Sequence, residues 1–162
     1  MPKSSVAIGV IGAGIMGERL LTAILQQKPD LLQACGIWDP APAAMQRMAK
    51  TFPQVPRLAD AAAIIAASDC VYVASPPASH LGHARAALAA GKSFFGEKPL
   101  AVDVADARAF VAEAGDRGAI NFPFASSPGQ ERKERGHWTS LFSFLLVPVR
   151  PDTLVCDEPA AK

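Results

Sequence analysis

Near the start of the chain the apolar residues form one short unbroken run, Val6-Ala7-Ile8-Gly9-Val10-Ile11. They then give way to glycines and resume at helical spacing through Leu20, Leu21, Ile24 and Leu25. An unbroken apolar run of this length fits a strand buried on both faces, and the recurrence that follows fits an amphipathic helix. The pattern therefore predicts strand, tight turn, helix. A second apolar run from Leu31 to Trp38 predicts another strand, ending at Asp39.

The alternation continues down the chain. Pro40-Ala41-Pro42 opens a helix over Ala43 to Lys50, because a first helical turn tolerates proline. Prolines at 53 and 56 break the pattern and leave room only for a brief, peripheral strand near Val55 to Leu58. A helix opened by Ala59 or Asp60 runs to Ala67 and closes at Ser68-Asp69. Cys70 to Ala74 then reads as a buried strand ended by Ser75-Pro76-Pro77. Ser79 is the expected N-cap of a helix from His80 to Ala90, which Gly91 ends. Lys92 to Gly96 is a short strand, and Asp103 to Arg117 a helix with Val104, Ala107, Phe110, Val111 and Ala114 on one face. Gly118 closes it, and Ala119 to Phe122 begins a last strand. Alternating strands and helices of these lengths argue for α/β architecture with a doubly wound parallel sheet, a Rossmann fold. This domain is expected over residues 1–125, with an atypical segment over 126–162.

Gly12, Gly14 and Gly17 form a G-x-G-x-x-G at the strand-to-helix turn. In the dinucleotide fingerprint the first glycine permits the turn, the second lets backbone approach a pyrophosphate, and the third lets helix pack on strand. Such glycines alone also occur in purely structural turns. Here the preceding strand and following helix support the binding reading, as does an acidic residue, Asp39, about 20 residues on. Gly12, Gly14, Ile15, Met16, Gly17 and Asp39 are thus candidate dinucleotide contacts. Asp39 suits the two hydroxyls of an adenosine ribose and repels a 2′-phosphate, so NAD is expected over NADP. Arg47 or Lys50 would soften that preference if the helix turned one of them inward.

Composition narrows the picture. Half of the 162 residues are hydrophobic and 19% are charged, with a formal net charge of +1. This suits one globular domain and gives no broad electrostatic footprint for nucleic acid or an acidic membrane surface. No run of about 18 apolar residues predicts a membrane span. Cys35, Cys70 and Cys156 have unrelated spacings and form no paired motif, so a cytoplasmic setting is expected. His80, His83 and His137 lack the paired spacing of a metal site, and His83 is expected to be exposed.

Four further stretches extend the glycine motif: Ser75-Pro76-Pro77-x-x-His80, Ala87-Leu88-x-Ala90-Gly91-Lys92, Glu97-Lys98-Pro99-Leu100, and Asp39 before them. Together they resemble the N-terminal domain of the glucose-fructose oxidoreductase, inositol dehydrogenase and rhizopine-catabolism (Gfo/Idh/MocA) family, over roughly residues 5–125. A β-hydroxyacid dehydrogenase can open with the same glycines but lacks the Glu-Lys-Pro element. The resemblance implies hydride transfer between a nicotinamide and a sugar, polyol or related secondary alcohol.

It also implies roles for particular residues. Ser75, Pro76, Pro77, His80, Glu97 and Lys98 would border the cofactor. Lys98 would stand beside nicotinamide and substrate, where its ammonium can hydrogen-bond the reacting hydroxyl. Glu97 would orient Lys98 or contact the nicotinamide ribose. His80 is either a positioning group or an ordinary residue of the helix start. The Lys98–Pro99 bond is expected to be cis. Family members continue into a substrate domain, whereas the residues beyond Pro128 do not match that continuation. A frameshifted tail and a natural single-domain relative are the two readings of this departure. Either makes a dinucleotide-binding module without turnover of its own the alternative function, with a second copy or partner subunit supplying the substrate domain.

Overall fold

The computed structural model describes residues 5–27, 29–116 and 121–123. In chain order the elements are β1 (Val6–Ile11), α1 (Ile15–Gln26), β2 (Leu32–Trp38), α2 (Pro42–Thr51), α3 (Ala61–Ala67), β3 (Cys70–Val73), α4 (Pro77–Ala89), β4 (Ser93–Gly96), α5 (Val104–Asp116) and β5 (Asn121–Pro123). The strands form one parallel sheet in the order β2-β1-β3-β4-β5. From β1 the chain winds outward to β2, then returns to place β3 on the other side of β1. Parallel crossovers are right-handed, so the two winding directions send helices to opposite faces. The expected doubly wound α/β fold is therefore present. The reversal leaves a crevice at the carboxyl ends of β1 and β3, the place where open sheets of this kind bind ligands.

The apolar runs are strands because both of their faces are covered. Val10, Ile11, Val71 and Val73 are fully buried, together with Leu21 of α1, Ile64 of α3 and Phe110 of α5. Phe94 of β4 meets Phe110 edge to face, with ring centroids 5.5 Å apart. Two caps secure α3. Asp60 accepts a hydrogen bond from the Ala63 amide at its start, and Lys92 Nζ donates to the Ser68 carbonyl beyond its end, at 2.7 Å each. Lys92 therefore has a structural job within the motif in which it was read.

The structure corrects several expectations. No strand forms at 55–58. Only a parallel bridge joins Ile37 to Arg57, because Pro53 and Pro56 lack the amides a ladder needs. Helix α4 begins at Pro77, not at His80. Proline occupies its first turn, and the Ser79 hydroxyl donates to the Pro76 carbonyl and pairs with the Ser75 hydroxyl instead of capping. On α5 the inward face is Ala107, Phe110 and Ala114, whereas Val104 and Val111 are 67% and 60% exposed. Packing against Phe94 and Arg85 sets that rotation. The segment expected from residue 126 onward lies outside the described residues.

Two buried acids give the fold an alkaline limit. Burial, with a smaller contribution from Asp69, pushes the Cys70 thiol up to about 11. Burial and the adjacent Glu97 likewise raise the Tyr72 phenol. Unfolding returns both groups to water, where they lose protons at lower pH than in the fold. Above about pH 9, the ordinary value for such a thiol, the unfolded chain therefore holds fewer protons and stability falls as pH rises. A plot of thermal midpoint against pH is expected to decline from about 9 to 11, less steeply in Cys70→Ala. A flat profile for the unsubstituted protein would contradict this.

Candidate functional site

At the carboxyl end of β1 the chain turns through Gly12 with φ +107°, a conformation that L side chains rarely adopt. A Cβ at Gly12 would lie 2.5 Å from the Ala74 carbonyl carbon and 2.6 Å from the Ser75 nitrogen. The turn thus runs directly against the exit of β3. At Gly17 a Cβ would lie 2.1 Å from the Gly12 carbonyl oxygen, so helix and turn touch backbone to backbone. Gly14 is different. It occupies the N-cap of α1, and nothing lies within 4 Å of where its Cβ would be. The first-turn amides of Ile15, Met16 and Gly17 that follow have no acceptor one turn back in the helix. Backbone donors at the positive end of a helix are groups that could hold an anion. Donors of this kind suit a pyrophosphate.

Asp39 sits at the end of β2 beside this turn. One carboxylate oxygen accepts the Ala13 amide and the other the Ala41 amide, both at 2.8 Å. A carboxylate oxygen has two acceptor positions, so capacity remains for ribose hydroxyls. Arg47 of α2 donates through Nη2 to the Ala13 carbonyl and through Nε to Glu18 of α1 at 2.8 Å. The Ala13 residue is thereby held from both sides, its amide by Asp39 and its carbonyl by Arg47. Arg47 is exposed, with two of its N–H groups on the loop and on Glu18. Lys50 is exposed. Next to Asp39 lies an open cleft of about 650 Å3, bordered by Trp38, Pro40, Met45, Arg57 and Leu58.

The other half of the rim is built from the exits of β3 and β4. His80 is 3% exposed, with Nε2 2.6 Å from the Ser75 carbonyl oxygen and Nδ1 2.8 Å from that of Pro99. It joins the Ser75-Pro76-Pro77 loop to the Lys98-Pro99 loop. With both N–H groups present the ring donates to both carbonyls. The neutral ring donates to one. His83 is half-buried, contrary to expectation. It lies edge-on to Trp38, and burial, then His80, lowers its pKa.

Lys98 is exposed, and the Lys98–Pro99 bond is cis, as the resemblance implied. Glu97 is held by Tyr72, whose hydroxyl donates to Glu97 Oε1 at 2.5 Å, and not by Lys98. The contacts of Arg47 on Ala13 and of Tyr72 on Glu97 were not legible in the sequence. Each spans separate elements, and no local spacing signals it. Among the described residues no group of three His, Cys, Asp or Glu side chains could hold a metal ion, and no helix is long and apolar enough to cross a membrane.

The family described as an oxidoreductase family with an NAD-binding Rossmann fold matches residues 6–123. The chain belongs to the Gfo/Idh/MocA oxidoreductase family. An inositol 2-dehydrogenase of Cereibacter sphaeroides is 36% identical over 123 residues, covering 68% of this chain and 33% of that protein. A candidate myo-inositol dehydrogenase from Sinorhizobium meliloti superposes with a TM-score of 0.66 at 26% identity, covering 74% of this chain and 36% of that one. A scyllo-inositol dehydrogenase from Lactobacillus casei, solved with NAD(H) and scyllo-inositol, shares the fold with a TM-score of 0.65 at 23% identity. The chain spans about a third of the length of the Gfo/Idh/MocA relatives it matches.

Proposed function

We propose that this chain binds NAD in preference to NADP and forms the cofactor half of a dehydrogenase for a polyol, sugar or related secondary alcohol. The observation that carries the reading is the open N-cap at Gly14, flanked by two glycines with no room for a side chain and by the Asp39 carboxylate. When bound, the nicotinamide supplies the hydride acceptor, and the protein supplies placement and electrostatics. The first-turn amides of α1 hold the pyrophosphate. The second acceptor positions of Asp39 take the adenosine ribose hydroxyls, and the same carboxylate disfavours a 2′-phosphate.

Lys98 donates a hydrogen bond to the substrate hydroxyl and takes up part of the negative charge that develops on its oxygen. Glu97 contacts the nicotinamide ribose. The polyol assignment rests on the names of the relatives and on the presence of the Glu97-Lys98-Pro99 element.

Because Lys98 is exposed, water screens its contact with a substrate hydroxyl in this chain by itself. That favours a second reading for the isolated 162-residue polypeptide, a module that binds cofactor without turnover. Following NADH formation with inositols, aldoses and sugar acids separates the two. The expected result is negligible turnover by the chain alone and a gain when it is coexpressed with a partner carrying a substrate domain. Robust turnover by a preparation containing only these residues would overturn the module reading.

A further inference from the structure

Tyr72 lies near the end of β3, paired in register with Phe95 of β4 and Val10 of β1. Its side chain is 2% exposed and stacks on the Phe95 ring, with centroids 5.2 Å apart and planes 23° from parallel. The packing aims the hydroxyl along the strand toward the carboxyl rim, where it donates to Glu97 Oε1. Glu97 is also anchored through its backbone, its amide donating to the Val73 carbonyl at 3.0 Å. Glu97 thus follows directly from β4 and is tied to β3 twice, once through its carboxylate and once through its amide, while remaining only half-buried. One of its oxygens takes the phenol, and the other keeps its acceptor positions for a group arriving at the rim.

We propose that Tyr72 is a positioning residue that fixes the Glu97 carboxylate for the nicotinamide half of a bound dinucleotide. This rests on the cofactor reading above. A carboxylate at a half-exposed rim otherwise samples several rotamers, and ordering it on binding costs free energy. The stacked, buried phenol removes that cost in advance. A charge-assisted O–H···O⁻ bond also belongs to the stronger class of hydrogen bonds. Burial and Glu97 both keep the phenol protonated, so it remains a donor through the neutral range.

A buried tyrosine needs a partner for its hydroxyl in any case, so a purely structural role must be distinguished. Comparing two ligands does so. ADP carries the adenosine and pyrophosphate but not the nicotinamide ribose or ring. In Tyr72→Phe, NAD is expected to bind roughly tenfold more weakly while ADP changes less than about twofold, as expected if one charge-assisted contact is loosened at one end of the ligand. A structural role would weaken both ligands together or neither.

Tyr72 is the single tyrosine in the sequence, which allows a second test without any change of fold. Incorporated 3-fluorotyrosine gives one 19F resonance, expected to shift on saturation with NAD and not with ADP. Equal losses for both ligands in Tyr72→Phe, or a resonance indifferent to NAD, would overturn the positioning role alone. Absence of NAD binding to the unsubstituted chain would overturn the cofactor reading and this role with it.

Discussion

Gly17→Ala is expected to abolish measurable dinucleotide binding and to lower stability, whereas Gly14→Val is expected to abolish binding and leave stability nearly unchanged. The two glycines face opposite problems. A Cβ at Gly17 would sit 2.1 Å from the Gly12 carbonyl oxygen, a backbone atom that cannot swing away as a side chain can. Helix α1 must therefore lift from the turn. Overpacking of this kind costs about 1–3 kcal/mol, and it also moves the first-turn amides out of the arrangement that could hold an anion. At Gly14 nothing lies within 4 Å of an added Cβ, so the fold has no reason to object. The space taken up is the space a pyrophosphate would occupy. Thermal melts beside NAD titrations check the pair. Unimpaired NAD binding by Gly14→Val would show that the cofactor lies elsewhere.

The second large effect concerns cofactor choice. Asp39→Ser combined with Pro40→Arg is expected to weaken NAD binding tenfold or more and to reverse the preference toward NADP. An arginine beside the ribose can pair with a 2′-phosphate in a bidentate, charge-assisted contact. Arg47 already gives two of its N–H groups to the Ala13 carbonyl and Glu18. Asp39 also holds the Ala13 amide, so Asp39→Ser alone should loosen the glycine turn and weaken both cofactors somewhat. The added arginine should recover affinity for NADP only. A double variant that still selects NAD would mean that Asp39 braces the loop and does not touch the ribose.

What could be read from the sequence divides along physical lines. The run at β1, its glycine turn and Asp39 were legible because burial on both faces leaves an unbroken apolar stretch and a tight turn demands glycine. The parallel sheet followed from the alternation of element lengths. Pro76-Pro77-Ala78-Ser79 was misread because it holds two start signals, proline in a first turn and serine as a cap, and only the packing of α4 decides between them. The exposed Val104 and Val111 show a similar limit. Helical spacing groups apolar residues on a face, but the partner, here Phe94 against Phe110, sets which part of that face is covered. Within the site, the glycines and the Glu97-Lys98-Pro99 element were visible as motifs. Arg47 on Ala13, Tyr72 on Glu97 and the two carbonyls around His80 were not, because strand order and helix packing bring those partners together.

The central claim is that the turn from Gly12 to Gly17 and the Asp39 carboxylate form an NAD site. Calorimetric titration of the purified chain with NAD and NADP under identical buffer and salt tests it most directly. One NAD is expected to bind per chain, with NADP at least about tenfold weaker, as one like-charge contact at the ribose implies. Tighter binding of NADP would contradict the role given to Asp39, and binding of neither cofactor would contradict the site itself.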